Sequence, residues 1–365
     1  MTSPRDNPGM NPGEAPQSIA VLRMSALGDV VMTLPLLRTL QKAFPRARLH
    51  WIVSRPFHML VEGVSGVELI VIDKPRGPLS FWRLWRQMRR YDFDWLLVPQ
   101  ASMRANLVTL VTRAKRKIGF GALHSRDLQR LFVDEVVPAE PEHLIDSFLR
   151  FATYVGAREH VLDWDLPLRQ DELDWARAQL EGCAGIKLAV VLAASKAERN
   201  WPLERYRETL NRVAARWPLT VVLIGGAGAH ERALAAALRD GLCAPVRDLV
   251  GRTDLRQLSA LLGQVDALLA PDTGPLHIAQ AMKKPVVGLY AVAPSKKTGP
   301  YLEPQWTVDV FAQAAATILG RGPERIGWRQ RVHDERALRL ITVDAVVDKI
   351  ERLFEHRGFK PQATS

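Results

Sequence analysis

Residues 266–290 read DALLAPDTGPLHIAQAMKKPVVGLY, a succession of strand, tight polar turn, helix and strand. The apolar run 266–270 suits a buried parallel strand, and the PDTGP turn at 271–275 ends it. Pro275 fits the first turn of a helix, where a missing N–H leaves nothing unsatisfied. Asp272 or Thr273 is placed to cap the amides ahead of it. Such a turn directs free N–H groups and the positive end of a helix dipole outward, which favours an anion. Gly274 lets a ligand approach the main chain, and His277 follows one turn inside the helix. The plainer reading is a capped crossover with no ligand.

The same alternation extends in both directions. Upstream, 188–194 and 219–225 read as strands and 203–216, 229–242 and 254–263 as helices. Downstream, a loop at 291–301 precedes helices near 307–319 and 343–355. The first part of the chain repeats the pattern, with strands at 19–24, 49–54, 67–73, 95–99 and 117–120. Helices are expected there at 30–44, 79–90, 102–114 and 142–155. This predicts an α/β protein with two doubly wound parallel sheets. A chain of 365 residues is also long for one core. The polar stretch 156–170, with Pro167, parts the two patterns. The expected division is a disordered tail at 1–18, domains at 19–165 and 166–355, and a polar tail at 356–365. Ligands of such sheets bind at the carboxyl ends of strands, so the loops 25–29, 195–202, 225–231, 272–275 and 291–301 are expected to converge.

Fifty Lys and Arg against 39 Asp and Glu give a net charge of +11, which favours anionic partners. The charge reads as spread along the chain rather than gathered in one arm. With no zinc-finger or RNP-like pattern, nucleic acid is not expected as a partner. Cys183 and Cys243 have no metal-site spacing, and a reduced, cytoplasmic protein is the simplest reading. No run of 18 apolar residues occurs, so any membrane contact is expected to be peripheral.

Several side chains have the chemistry of a site. Asp29, in the turn SALGD, is either a helix-start acid or a general base. Ser195, Lys196 and Arg199 suit a phosphate, or a solvated surface. Glu231 follows a Gly-rich turn that lacks full GxGxxG spacing, and either holds a ribose diol or is a first-turn acid. Lys296–Lys297 lies in a basic turn that either closes over a diphosphate or is a solvated hairpin. The DxD pairs Asp92/Asp94 and Asp163/Asp165 read as strand-edge and linker acids rather than metal ligands. In 81–90, FWRLWRQMRR, helical spacing puts Phe81, Trp85 and Met88 on one face, to pack on the sheet. The alternative for that segment is docking on an anionic bilayer.

SALGDV (25–30) followed by PDTGPLHIAQAMKKPVVGLY (271–290) resembles the ADP-heptose:lipopolysaccharide heptosyltransferases of glycosyltransferase family 9. SKAERNWP, the turn ending at Glu231, LVGRTDLRQL (249–258) and KTGPY (297–301) extend the resemblance over about 19–354. It implies a GT-B architecture, two Rossmann-like domains facing a cleft. The amino-terminal domain would receive a lipid A-linked core acceptor and the carboxyl-terminal domain would hold ADP-heptose. It implies inverting transfer without a bound metal or other cofactor, at the cytoplasmic face of the inner membrane. By motif, the catalytic acid falls on Asp29. Donor contacts fall on Ser195, Lys196, Arg199, Glu231, Asp272, Thr273, Gly274 and His277, and acceptor contacts on His124 and Arg126. Two departures stand out. Arg199 occupies a position where the family usually has Lys, and Ala291–Val292–Ala293–Pro294 replaces a Gly-Pro start.

Overall fold

The computed structural model describes residues 15–362, and its chain divides into two compact units at Pro167/Leu168. Residues 1–14 and 363–365 of the two expected tails lie outside the described residues.

In the first unit six strands form one parallel sheet: β1 (Ser18–Leu22), β2 (Arg48–Ser54), β3 (Val67–Ile72), β4 (Asp92–Val98), β5 (Arg113–Phe120) and β6 (Glu135–Val137). Their order is β3-β2-β1-β4-β5-β6. The helices are α1 (Leu27–Met32), α2 (Leu34–Ala43), α3 (Arg55–Val61), α4 (Pro78–Met88), α5 (Met103–Val111) and α6 (Leu144–Tyr154). The single helix expected at 30–44 is two. The break falls at Thr33, whose hydroxyl donates to the Asp29 carbonyl (2.8 Å), just before Pro35, which cannot donate to the preceding turn.

Strand β5 starts four residues before its expected position and takes residues 113–114 from the expected helix. Its sequence, RAKRKIGF, hides its pairing, because its cations are matched by acids on neighbouring strands. Lys115 meets Asp94 (2.8 Å) and Arg116 meets Glu135 (2.7 Å). Asp94 also accepts from the backbone amides of Gln17 and Ser18, so residues 17–18 are tied to the sheet rather than part of a tail. In α4 the buried residues are Leu84 and Met88, while Trp85 is 39% exposed. The expected Phe81–Trp85–Met88 face is therefore rotated, leaving Trp82 and Trp85 outward. The polar stretch 156–170 carries a fully buried Trp164, and Asp165 beside it pairs with Arg38 (2.8 Å).

The second unit contains α7 (Gln170–Gln179), β7 (Ile186–Val191), α8 (Leu203–Ala214), β8 (Leu219–Ile224), α9 (Ala229–Arg239), β9 (Val246–Asp248) and α10 (Leu255–Leu262). It continues with β10 (Ala267–Pro271), α11 (Gly274–Ala281), β11 (Val286–Tyr290), α12 (Ser295–Thr298), β12 (Val308–Asp309), α13 (Phe311–Leu319) and α14 (Val343–His356). Its sheet is parallel, in the order β12-β11-β10-β7-β8-β9. Asp266 lies just before β10 and accepts the Lys187 amide (2.7 Å), which sets the register of β10 against β7. The short strands β6, β9 and β12 were not expected, since two or three residues carry no readable period. The expected helix at 307–319 begins only at Phe311, after β12.

Helix α7 was also not expected, because its sequence QDELDWARAQ is polar. It is held to α10 by a buried ion pair between Glu172 and Arg256. Burial pushes the Glu172 carboxyl up. The Arg256 hydrogen bond and the Arg169 amide outweigh this and leave it below the usual carboxylate range. A carboxylate lowered on folding stabilises above its unfolded pKa, and this contribution is lost as pH falls through the folded value. Glu172→Gln leaves Arg256 buried without its counter-charge and is expected to cost about 3 kcal/mol near neutral pH. Urea titration of both proteins should show this deficit narrowing below about pH 4; a constant deficit would refute the charge-based account.

Candidate active site

In each sheet the strand order reverses between two central strands, β1/β4 in the first unit and β7/β10 in the second. At a reversal the two chains leave for helices on opposite faces, which opens a crevice at the carboxyl edge. Asp29 stands at the first crevice, and Arg199, Asp272 and Thr273 stand at the second.

At the first crevice Asp29 is the third residue of α1, and one carboxylate oxygen accepts the Ala26 amide (3.0 Å). The same oxygen is ion-paired with Arg23, leaving the Asp29 side chain 26% exposed. Arg23 is a residue that sequence reasoning passed over. It follows β1 directly, also donates to the Pro99 carbonyl after β4, and lies over the Phe148 ring, 5.1 Å from its centroid. Its neighbours fix the strand end. Trp51 donates to the Arg23 carbonyl (3.2 Å), Ser54 to the Met24 carbonyl (2.6 Å), and Gln100 accepts the Met24 amide (2.7 Å). A cation inside the apolar run IAVLRM was the available clue, since a buried Arg requires an anionic or carbonyl partner. His124 and Arg126 follow β5 at the same edge of the sheet. His124 is engaged with the Ser147 hydroxyl (3.2 Å) and the Glu140 carbonyl (3.3 Å), whereas Arg126 is exposed.

At the second crevice Arg199, after β7, reaches Asp272, after β10, with N–O distances of 3.2 Å to the carboxylate and 3.1 Å to the carbonyl. The sequence reading left Arg199 to a phosphate or to solvated surface; here its guanidinium holds Asp272. Thr273 occupies the cap position of α11, yet its hydroxyl makes no capping bond and is buried without a hydrogen-bond partner among the described residues. The start of α11 therefore has no side-chain cap from Thr273, and Pro275 brings no N–H to it. His277 is buried one turn further on. Ser195 and Lys196 lie in the same loop as Arg199. Lys196 stands 3.9 Å from Glu198, which His333 contacts at 2.7 Å. The His333 hydrogen bond holds Glu198 below the ordinary carboxylate range.

Behind Asp272 the Tyr290 hydroxyl donates to the Thr298 carbonyl (3.0 Å). Burial, then the Asp272 charge, push this phenol well above its ordinary pKa, so it stays a neutral donor. Residues 295–298, expected as loop, form the single turn α12, and Lys297 lies 5.7 Å over the Trp328 ring. After β8 the Glu231 carboxylate folds over the Gly225–Gly226 turn. A Cβ at Gly225 would lie 2.8 Å from Glu231 Oε2, and that oxygen is buried without a hydrogen-bond partner among the described residues. A cavity of about 360 Å³ lies alongside, lined by Arg232, Asp248, Val250, Gly251 and Arg252. Among the described residues no three His, Cys, Asp or Glu are grouped as a metal site.

Two parallel six-stranded sheets with this repeated reversal are the GT-B architecture. The likeness to solved heptosyltransferases carries the same fold. The ADP-heptose lipopolysaccharide heptosyltransferase II of Escherichia coli matches with a TM-score of 0.69 at 20% identity, covering 93% of this chain and 99% of that one. The E. coli heptosyltransferase WaaC with ADP-2-deoxy-2-fluoro heptose matches with a TM-score of 0.66 at 20% identity, over 92% and 99%. Residues 81–319 match the model of glycosyltransferase family 9 (heptosyltransferase). The lipopolysaccharide core heptosyltransferase OpsX of Haemophilus influenzae is 32% identical over 93% of this chain and 98% of its own length. The chain belongs to glycosyltransferase family 9, and it is a glycosyltransferase.

Removing the Arg23 cation strands the Pro99 carbonyl and takes the counter-ion from Asp29. Arg23→Leu is expected to lower stability by about 2 kcal/mol, read as a lower urea midpoint at unchanged m. An unmoved midpoint would show that the crevice does not depend on this side chain.

Proposed function

We propose that the protein transfers heptose from ADP-heptose to the inner core of a lipid A-linked lipopolysaccharide acceptor, with inversion. The acceptor hydroxyl oxygen bonds to the anomeric carbon as the bond from that carbon to the diphosphate oxygen breaks. ADP leaves with the electron pair, and Asp29 takes the hydroxyl proton. The observation that carries this reading is what lines the two crevices. A half-open carboxylate stands at one strand reversal, and at the other a cation stands beside a helix start that Thr273 does not cap.

The α11 amides and Arg199 suit the negative charge that grows on a departing diphosphate. Asp272, held by Arg199, is placed to orient hydroxyls of the donor sugar, and Thr273, Gly274 and His277 complete that pocket. Ser195 and Lys196 would add contacts to the phosphates. The unpartnered Glu231 oxygen suits a ribose diol, since a carboxylate accepts two hydroxyl donors. His124 and Arg126 are assigned to the anionic acceptor. The donor class is supported by the relative solved with an ADP-heptose analogue, and the acceptor by the relative named for the lipopolysaccharide core. We place the enzyme in the cytoplasm, in peripheral contact with the inner membrane. No helix among the described residues is long and apolar enough to cross a membrane.

Incubation with ADP-heptose and a heptose-free core acceptor should add the mass of one heptose. Gain only from a UDP-sugar would overturn the donor assignment. Asp29→Asn is expected to lower kcat about a thousandfold while ADP affinity stays within about twofold, because a base acts on the transition state rather than on nucleotide binding. Asp272→Ala should instead weaken donor use, with a higher donor KM. Full turnover by Asp29→Asn would exclude it as the base.

A further inference from the structure

Helices α4 and α5 cover one face of the first sheet with Leu84, Met88, Ala105, Val108 and Val111. Their opposite sides are unusually apolar for an exposed surface. Of the ten large hydrophobic side chains that are exposed among the described residues, seven lie between 79 and 131: Leu79, Trp82, Trp85, Met103, Leu110, Leu128 and Leu131. Two exposed tryptophans one helical turn apart are a costly arrangement for a solvated face.

The same segment is strongly basic. Residues 76–131 hold twelve Lys or Arg against three Asp, nine of the chain's surplus of eleven, so the charge is more local than the sequence reading held. Arg83, Arg86, Arg89, Arg90 and Arg113 are exposed, and none has a carboxylate partner among the described residues. Arg86 stacks on Trp82 (5.6 Å) and Arg89 on Trp85 (4.6 Å), so cation and aromatic ring are presented together. A groove of about 790 Å³ runs beside them, lined by Phe81, Trp85, Arg89, Leu110 and Arg113, with Asp92 as the one carboxylate on its wall.

The turn at 126–131 extends this face. Asn106 donates to the Asp127 carbonyl (2.6 Å), and the Asp127 carboxylate accepts the Met103 amide (2.9 Å), which ties the turn to the start of α5. Asp127 and Leu128 are both left-handed, with φ of 51° and 62°. For leucine that conformation is unfavourable, and here it holds a side chain that is 66% exposed. The start of α4, the start of α5 and this turn lie at the carboxyl edge of the sheet, the edge at which Asp29 stands, and the face runs from there to the groove and to Arg89, Arg90 and Arg113 at the opposite edge.

We propose that the outer face of α4 and α5, with the 126–131 turn, docks on a bilayer containing anionic phospholipid. Arginines meet the headgroup phosphates, while Trp82, Trp85, Leu79 and Leu128 enter the interfacial layer, where amphipathic rings are favoured. The choice of a bilayer over a soluble polyanion rests on charge complementarity together with the exposed apolar side chains. It rests also on the lipid-linked acceptor of the proposed function. Contact at the carboxyl edge would bring a sugar carried on a lipid to the edge at which Asp29 stands.

Cosedimentation with phosphatidylcholine vesicles, with and without phosphatidylglycerol, tests this. The wild-type protein should bind only the phosphatidylglycerol vesicles and be released by salt. Arg86→Ala/Arg89→Ala should weaken binding about tenfold or more. Brominated acyl chains should quench wild-type tryptophan fluorescence, and Trp82→Ser/Trp85→Ser should abolish that quenching. Both variants should keep transfer to a soluble, delipidated acceptor, which shows that they fold, and lose transfer to a vesicle-embedded acceptor in step with binding. Vesicle binding unchanged in both variants would overturn the proposal. So would failure of the wild-type protein to bind phosphatidylglycerol vesicles, or a preference for DNA over them. If vesicle binding follows these residues but no heptose is transferred to either acceptor, the surface stands and the proposed function falls.

Discussion

A parallel sheet that reverses its winding cannot cover the gap between the two strands at which it reverses, because their connections leave on opposite faces. That constraint governs both units of this protein. Each gap is crossed by one arginine: Arg23 joins the end of β1 to the chain after β4, and Arg199 joins the loop after β7 to the turn after β10. Both arginines engage an aspartate and a main-chain carbonyl, which a guanidinium can do because its donors are fixed in a planar fork. A lysine at either place would carry its donors on a single nitrogen and lack that planar fork.

The chemistry follows from what each gap leaves open. In the first unit the carboxylate of Asp29 is anchored by the Ala26 amide and Arg23 while part of it stays exposed. In the second unit the anchored group is also an aspartate, and beside it α11 starts without a side-chain cap from Thr273. Under the proposed function the first gap would accept a proton and the second would meet the charge growing on a leaving diphosphate.

The two units share a topology and differ in their outer surfaces. In the second, α13 and α14 pack Phe311, Ile350, Leu353 and Phe354 onto a continuous core that includes Trp217. Residues beyond α14 are fastened as well, through Phe359 and the Gln362 amide on the Arg216 carbonyl (2.7 Å). In the first, α4 and α5 each bury one side only and leave tryptophan and leucine outside among arginines. Packing of the sheet does not require those exposed residues, which is why the surface reads as an interface.

Alternating hydrophobic runs and turn residues determined the fold class, because a doubly wound sheet imposes its period on the chain locally. The motif around Asp272, Thr273, Gly274 and His277 was legible for the same reason, as strand, turn and helix start are contiguous. The first half of strand β5 and helix α7 were not legible. Their stability lies in charged pairs with partners distant in sequence, Arg116 with Glu135 and Glu172 with Arg256, which no local period records. Only the tertiary structure decided that Trp85 faces outward, since a helix with apolar residues on more than one side has no local rule for choosing which side is buried. It alone set Arg23 against Pro99 and Arg199 against Asp272, because strand order, not sequence distance, makes those residues neighbours.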